Sequence, residues 1–136
     1  MKSGSHMNKL RWTWLALGLV WIAAIFYLSL IPPPPQPVAF WQADKLAHAL
    51  AYGLLMLWFC QVYRQRSSRV LLALLLVAMG IAIEYLQRET GYRIFEIADM
   101  FANAAGVMVG WVWARTALGH VFAYLEYRVA KKSSQT

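Results

Sequence analysis

Apolar residues fill four long stretches of the chain, and polar residues gather in the short segments between them. Each stretch is close to the roughly 17 to 25 residues that a helix needs to cross a hydrocarbon core about 30 Å thick. The stretches are residues 12–31, 46–63, 70–87 and 97–113. The pattern predicts an all-α membrane protein with a four-helix transmembrane bundle.

Two segments at the N-terminal side bound this membrane domain. The prolines of PPPPQP, residues 32–37, cannot continue a helix and predict a stiff polyproline-type connection after the first span. No small-residue cleavage site precedes them, so we interpret the first span as a retained anchor and not as a cleaved signal peptide. The opening MKSGSH resembles a remnant of an expression tag. The expected organisation is a remnant in residues 1–6, a four-span domain in residues 7–114 and a tail in residues 115–136.

The tail carries an apolar face and a basic end. A helix with this pattern typically lies on the anionic inner leaflet of a membrane, and the alternative is a soluble basic tail. The apolar face consists of Leu118, Val121, Phe122, Leu125 and Val129, and the basic end of Arg128, Lys131 and Lys132. We predict an amphipathic interfacial helix here.

Composition and charge agree with a membrane protein and set its orientation. The chain is 60% hydrophobic and 14% charged, with a formal net charge of +7. Short loops rich in Lys and Arg stay in the cytoplasm. Nine basic residues flank one side of the predicted spans and only Lys45, Arg88 and Arg93 flank the other. Both termini are therefore expected in the cytoplasm, and the basic excess reflects topology, so we expect no nucleic-acid partner.

The acidic residues follow the opposite distribution. Five of the six carboxylates fall at the extracytoplasmic side, namely Asp44, Glu84, Glu89, Glu96 and Asp99. At the same depth the second span adds His48 and Tyr52, the third adds Gln87 and the fourth adds Asn103. Polar groups inside a membrane are costly and normally face the bundle interior or a wet cavity. We therefore predict one inward-facing polar cluster beneath the extracytoplasmic surface.

Small residues recur every fourth position below this cluster in the last span. They are Ala102, Gly106, Gly110 and Ala114. Such a stripe lets helix backbones approach closely, which makes the fourth span the expected central packing helix. Packing within one chain and packing in a homodimer are both compatible with the stripe.

Three spaced motifs resemble the VanZ-like family of small bacterial membrane proteins, named for a member associated with resistance to the glycopeptide teicoplanin. They are DKLAHALAY from Asp44, IEYLQ around Glu84, and RIFEIADMFANAAG from Arg93. The resemblance runs from residue 29 to residue 110. It implies a bacterial cytoplasmic-membrane location and a link to the cell envelope.

Each polar residue allows a chemical role and a structural one. His48 is a candidate acid or base, since imidazole exchanges protons near neutral pH, or a helix–helix hydrogen bonder. Glu84 and Asp99 are candidates to orient it or to react themselves, while Asp44 also suits a helix cap. Arg93, aided by Lys45, is expected to hold a phosphate or carboxylate, or to pair with neighbouring acids. Tyr52, Gln87 and Asn103 complete the expected ligand-binding set.

Two classes of function fit these residues. The favoured one is binding of a lipid or lipid-linked envelope ligand at the extracytoplasmic polar cluster. The alternative is a membrane enzyme that modifies a lipid or cell-wall precursor headgroup by histidine and carboxylate chemistry, although no known catalytic signature is present. We expect no resident cofactor. A divalent metal at Asp44, His48, Glu84 and Asp99 is a minor alternative, favouring magnesium, calcium or manganese.

Overall fold

The protein is built from helices throughout the part of the chain that the structure describes. The computed structural model describes the backbone of residues 2–32 and 41–133 and the side chains of residues 8–32 and 43–132. Its elements are α1 (Lys2–Leu30), α2 (Trp41–Cys60), α3 (Arg66–Glu89), α4 (Ile97–Trp113), a 3-10 turn (Ala117–His120) and α5 (Val121–Ser133). A helix covers each predicted span, which confirms the all-α class. The proline-rich segment after Pro32 lies outside the described residues.

Not every one of these helices has the length and apolarity of a membrane span. Within the described ranges α1 and α3 qualify, and the pair formed by α4 and the following turn and helix qualifies as a third, bent by 74°. Two features explain why α2, and α4 by itself, do not qualify as spans. Helix α2 carries Asp44, Lys45 and His48 in its first two turns, and α4 alone has only 17 residues. The structure therefore supports two or three candidate spans.

The centre of the bundle is the close pair formed by α2 and α4, the most extensive helix contact in the described chain. A Cβ atom added at Gly106 would overlap the carbonyl oxygen of Ala49, and one added at Gly110 would overlap that of Gly53. Val107, between these glycines, is buried. The predicted role of the small-residue stripe as a packing surface within one chain is confirmed.

We call the end of the bundle formed by the start of α2, the end of α3 and the start of α4 the polar end. The opposite end, around the last turns of α2, is the tryptophan end. There the rings of Trp14 and Trp58 stack with centroids 3.9 Å apart. Each indole N–H donates to the other residue's carbonyl oxygen, at 3.1 and 3.0 Å. This reciprocal pair fixes α1 against α2.

Two further polar residues close the tryptophan end. The buried Gln61 amide donates to the Leu118 carbonyl at 2.6 Å and accepts from the Phe122 backbone N–H at 3.2 Å. The Arg69 guanidinium donates to the carbonyl oxygens of Cys60 and Tyr63, at 3.0 and 2.9 Å. Carbonyl groups that a helix end leaves without intrahelical partners are thereby satisfied.

Helix α5 forms as predicted, but its apolar face is divided between two environments. Phe122 is buried and packs edge-on against Trp14, with ring centroids 5.1 Å apart. Leu118, Val121 and Leu125 stay exposed. The prediction that all these side chains share one lipid-facing surface was therefore wrong for Phe122, because Gln61 holds the start of α5 against the bundle.

Candidate functional site

An ion-pair cluster at the polar end joins α2 to α4 and to the connection before it. The Lys45 ammonium lies 2.5 Å from Glu96 Oε2 and 2.8 Å from Asp99 Oδ1. The Asp99 side chain is 9% exposed and that of Lys45 is 19% exposed, so this network is largely shielded from solvent. Lys45 therefore bridges two carboxylates and offsets the charge of one of them.

Glu84 is the most buried acid of the polar end, and it meets a backbone donor. The N–H of Glu96 donates to Glu84 Oε1 at 2.5 Å, and the residue is 1% exposed. The sequence left open that Arg93 pairs with neighbouring acids. In the described chain neither Arg93 nor Arg88 forms an ion pair with Glu84.

His48 stands between an amide and a carboxylate. Its Nδ1 lies 3.2 Å from Asn103 Oδ1, and its Nε2 lies 3.9 Å from Asp44 Oδ2. An amide oxygen only accepts hydrogen bonds, so this geometry assigns the proton of the neutral ring to Nδ1. Nε2 then carries the lone pair of the ring and can accept a proton or bind a metal ion or a ligand.

A cavity of about 200 Å³ opens beside this histidine. It lies among α1, α2, the end of α3 and the connection to α4. Its polar lining comes from Asp44, His48, Tyr52 and Arg93, and its apolar lining includes Ile25, Leu28, Ala51 and Ile83. One wall can therefore contact charge and the other hydrocarbon.

Two polar atoms at this cavity are buried without a partner among the described residues. They are the hydroxyl of Tyr52 and the Nε of Arg93. Tyr52 is only 2% exposed. Leaving a buried donor unpaired costs about 1–3 kcal/mol, and most buried polar groups in proteins are paired. The residues that carry these donors line the cavity, so a ligand bound there is a candidate acceptor for them.

The structure brings most of the predicted site residues together. Asp44, His48, Tyr52 and Arg93 line the cavity, Lys45 and Asp99 form the adjacent ion pair, and Glu84 and Asn103 contact neighbours of these groups. Gln87 is the exception. It does not line the cavity but donates to the carbonyl of Ser29, which does, at 3.0 Å, and so ties α3 to α1 at the edge of the cavity.

Sequence reasoning omitted Glu96 from the site. This residue joins the cluster twice, through its carboxylate to Lys45 and through its N–H to Glu84. Its position three residues before Asp99 was an available signal, because residues three apart at a helix start share one face.

Metal-binding donors are also present at the polar end. One ligand atom each from Asp44, His48 and Asp99 lies within 4.8 Å of the others. Glu84, which the sequence placed in the same set, does not belong to this group.

Comparison with known proteins places this site in a recognisable sequence context. A family model described as VanZ/LLP1 matches residues 4–119. The chain is similar to an uncharacterized protein of the fission yeast Schizosaccharomyces pombe, at 30% identity over 95 residues, or 68% of this chain and 56% of that protein. The chain thus spans little more than half the length of that relative. The search of solved structures gave no match.

Proposed function

Because the chain belongs to the VanZ/LLP1 family, we propose that it is a membrane protein whose polar end binds the anionic headgroup of a membrane lipid or lipid-linked envelope precursor. One observation carries the proposal. The cavity at the polar end is lined by Tyr52 and Arg93, and each of these residues carries a buried donor, the hydroxyl and Nε, that has no partner in the described chain.

The cavity is smaller than pockets for drug-sized ligands and has a lining suited to an anionic headgroup. Pockets for drug-sized ligands usually start at about 300 Å³, whereas this one measures about 200 Å³. Arg93 offers a charged planar fork suited to phosphate or carboxylate. Leu28 lines the same cavity and is 59% exposed. An amphiphile can therefore place its anionic group against Arg93 while its chains follow Leu28 into the lipid.

The proposal includes an orientation. All four helices α1 to α4 cross the bacterial cytoplasmic membrane, with both termini inside and the polar end outside, as the distribution of Lys and Arg favours. Single cysteines at Glu89 and Arg64, each in a Cys60→Ser background, test it with a membrane-impermeant maleimide on intact cells. Labelling of Glu89→Cys alone is expected. Labelling of Arg64→Cys alone would reverse the orientation.

The yeast relative bears on which ligand is bound. A phosphate-bearing lipid occurs in bacterial and eukaryotic membranes alike and is therefore compatible with a family that has members in both. A role in teicoplanin resistance is a separate proposal, tested by expressing the chain in a glycopeptide-susceptible bacterium. A raised inhibitory concentration that Arg93→Gln abolishes is expected, and an unchanged one would refute this role.

Binding is tested by titrating labelled phosphatidylglycerol or phosphatidylcholine into the protein in neutral nanodiscs. We expect saturable binding of phosphatidylglycerol with at least a tenfold preference, and loss of that preference in Arg93→Gln. Arg88→Gln is the matched control, because Arg88 is exposed near the same end of α3 and lies outside the cavity. Equal binding by wild type and Arg93→Gln would contradict the proposal.

The geometry of His48 favours a second candidate, an enzyme acting on a headgroup in the same cavity. With Nδ1 donating to Asn103, Nε2 can accept a proton from a bound hydroxyl or water. Incubating the protein with radiolabelled membrane lipids tests this candidate. We expect a product that His48→Gln no longer forms while lipid binding survives. A lipid extract that returns unchanged from wild type would remove the catalytic candidate.

A further inference from the structure

We infer that Asp44, His48 and Asp99 form a divalent-cation site at the polar end, and that the headgroup binds beside this ion. The second half rests on the proposed function, whereas the cation site does not. The three side chains come from two helices, and their ligand atoms lie within 4.8 Å of one another. Donors about 2.1 Å from one ion lie about 3.4 Å apart at the tetrahedral angle and about 3.0 Å apart at a right angle, so side-chain shifts of up to about an ångström complete the set.

The hydrogen bonds of the cluster leave His48 Nε2 and one carboxylate oxygen of Asp99 available to bind an ion. Asn103 accepts from Nδ1 of His48, which leaves Nε2 for a metal ion and fixes the ring, as outer partners of metal-bound histidines usually do. Lys45 contacts Asp99 through Oδ1, and a carboxylate has a second oxygen. Asp44 is half exposed, so an ion can enter from solvent past its carboxylate.

The hydroxyl of Tyr52 is a second observation beside the three ligand side chains. Its side chain is 98% buried, and its hydroxyl has no partner among the described residues. It lines the cavity that Asp44 and His48 also line. A water or phosphate oxygen bound to the cation would accept the hydrogen bond that Tyr52 leaves unmade.

The charges of the polar end also call for a cation. Asp44, Glu84, Glu96 and Asp99 carry four formal negative charges against two positive charges from Lys45 and Arg93. Carboxylates that gather where water is excluded repel one another strongly, so this excess favours binding of a cation. One divalent ion cancels the excess and gives the phosphate a second cation beside Arg93.

The donor set indicates which ions fit. Imidazole nitrogen suits zinc, whereas carboxylate oxygens suit manganese, magnesium and calcium. One nitrogen and two oxygens fit Mn²⁺ or Zn²⁺ better than an ion that prefers oxygen alone. Mn²⁺ is the practical probe because its free form gives a strong paramagnetic resonance signal.

The experiment titrates Mn²⁺ into the full chain in phosphatidylcholine nanodiscs and follows the free-ion signal, with no anionic lipid present. We expect one ion bound per chain. Asp44→Asn and His48→Gln should each weaken binding at least tenfold, while Glu89→Gln, an exposed acid at the same end of the bundle, should bind like wild type. Circular dichroism establishes that the variants are folded.

Three outcomes would overturn the cation site. They are no saturable binding by folded wild type, binding that Asp44→Asn and His48→Gln leave unchanged, and binding that Glu89→Gln weakens equally. The wild-type titration decides the matter even where a variant does not fold.

A second titration separates this inference from the proposed function. Phosphatidylglycerol binding is measured with Mn²⁺ and with a chelator, and we expect it to be at least tenfold weaker with the chelator. Binding that ignores the chelator would refute the link to the headgroup and leave the proposed function standing. One bound Mn²⁺ without lipid binding would support the cation site and refute the proposed function.

Discussion

The two ends of the bundle treat buried polar groups in opposite ways. At the tryptophan end, Gln61, Arg69 and the indoles of Trp14 and Trp58 all bond to backbone groups. At the polar end, Lys45 and His48 bond to other side chains, Glu84 and Gln87 bond to backbone groups, and the Tyr52 hydroxyl and Arg93 Nε bond to nothing in the described chain. The named groups of the tryptophan end all have partners, whereas the polar end keeps two unpaired donors.

This difference separates groups that hold the fold from groups available to a ligand. A bond to the backbone closes a helix end and links neighbouring helices, which contributes to stability. An unpaired buried donor does the reverse, since it destabilises the protein until something accepts its hydrogen bond. The contrast leads to four expectations about variants, measured as the free energy of unfolding in mixed micelles.

The largest effect is expected at the glycine contact that joins the two ends. Gly110→Leu should destabilise the protein by more than about 3 kcal/mol, because its side chain would overlap the backbone of Gly53. Both ends should unfold together. Ala105→Leu, at an exposed position of the same helix, is the control and should be nearly neutral. Similar stabilities of the two variants would mean that α2 and α4 do not pack as described.

Lys45→Met should show that part of the polar end is structural. Removing the ammonium leaves Glu96 and Asp99 without their shared cation, and we expect a loss of about 2–3 kcal/mol because the group is largely shielded from water. Lys9→Met, at an exposed position of α1, controls for the change of residue type. An unfolding free energy equal to that of Lys9→Met would show that the ion pairs contribute nothing.

Gln61→Leu tests the tryptophan end. The change leaves the Leu118 carbonyl and the Phe122 N–H without their partner, so a loss of about 2 kcal/mol is expected. Lipid binding should not change, since Gln61 is far from the cavity lining. Gln65→Leu is the matched control, because Gln65 is exposed and its side chain makes no capping bond. A loss of lipid binding in Gln61→Leu would contradict the claim that the tryptophan end serves stability and not binding.

Tyr52→Phe should have the smallest effect and the opposite sign. Without lipid, removal of an unpaired buried hydroxyl should leave stability unchanged or raise it by up to about 1 kcal/mol. Phosphatidylglycerol binding should weaken several-fold. Tyr85→Phe, at an exposed position on α3, should change neither quantity. A clear loss of stability in Tyr52→Phe would mean that its hydroxyl is already paired inside the protein.

The helices and the role of α4 in packing could be predicted because both depend on local pattern. Apolar length predicted α1 to α4, and the four-residue spacing of Gly106 and Gly110 predicted that α4 packs closely against a neighbour. The spacing did not identify α2 as that neighbour. Phe122 could not be placed, because its burial depends on Gln61, which lies sixty-one residues earlier in the chain. Tertiary contact over such a separation leaves no periodic signal.

The sequence predicted which residues lie at the depth of the polar end, but not which of them contact one another. The depth of each residue along its helix brought His48, Glu84 and Asp99 to one level. Depth does not specify partners, so the bond from the Glu96 N–H to Glu84 went unforeseen. The unpaired Nε of Arg93 was equally invisible, since its nearest acids in sequence suggested an ion pair that the described chain does not form.

The central claim is that the unpaired donors of the polar end serve a ligand and not the fold. Thermal unfolding of wild type and Arg93→Gln, each with and without saturating phosphatidylglycerol, tests it most directly. We expect equal melting temperatures without lipid and a rise with lipid in wild type alone, because a ligand stabilises only a protein that binds it. A lower melting temperature of Arg93→Gln without lipid, or an equal rise in both proteins, would contradict the claim.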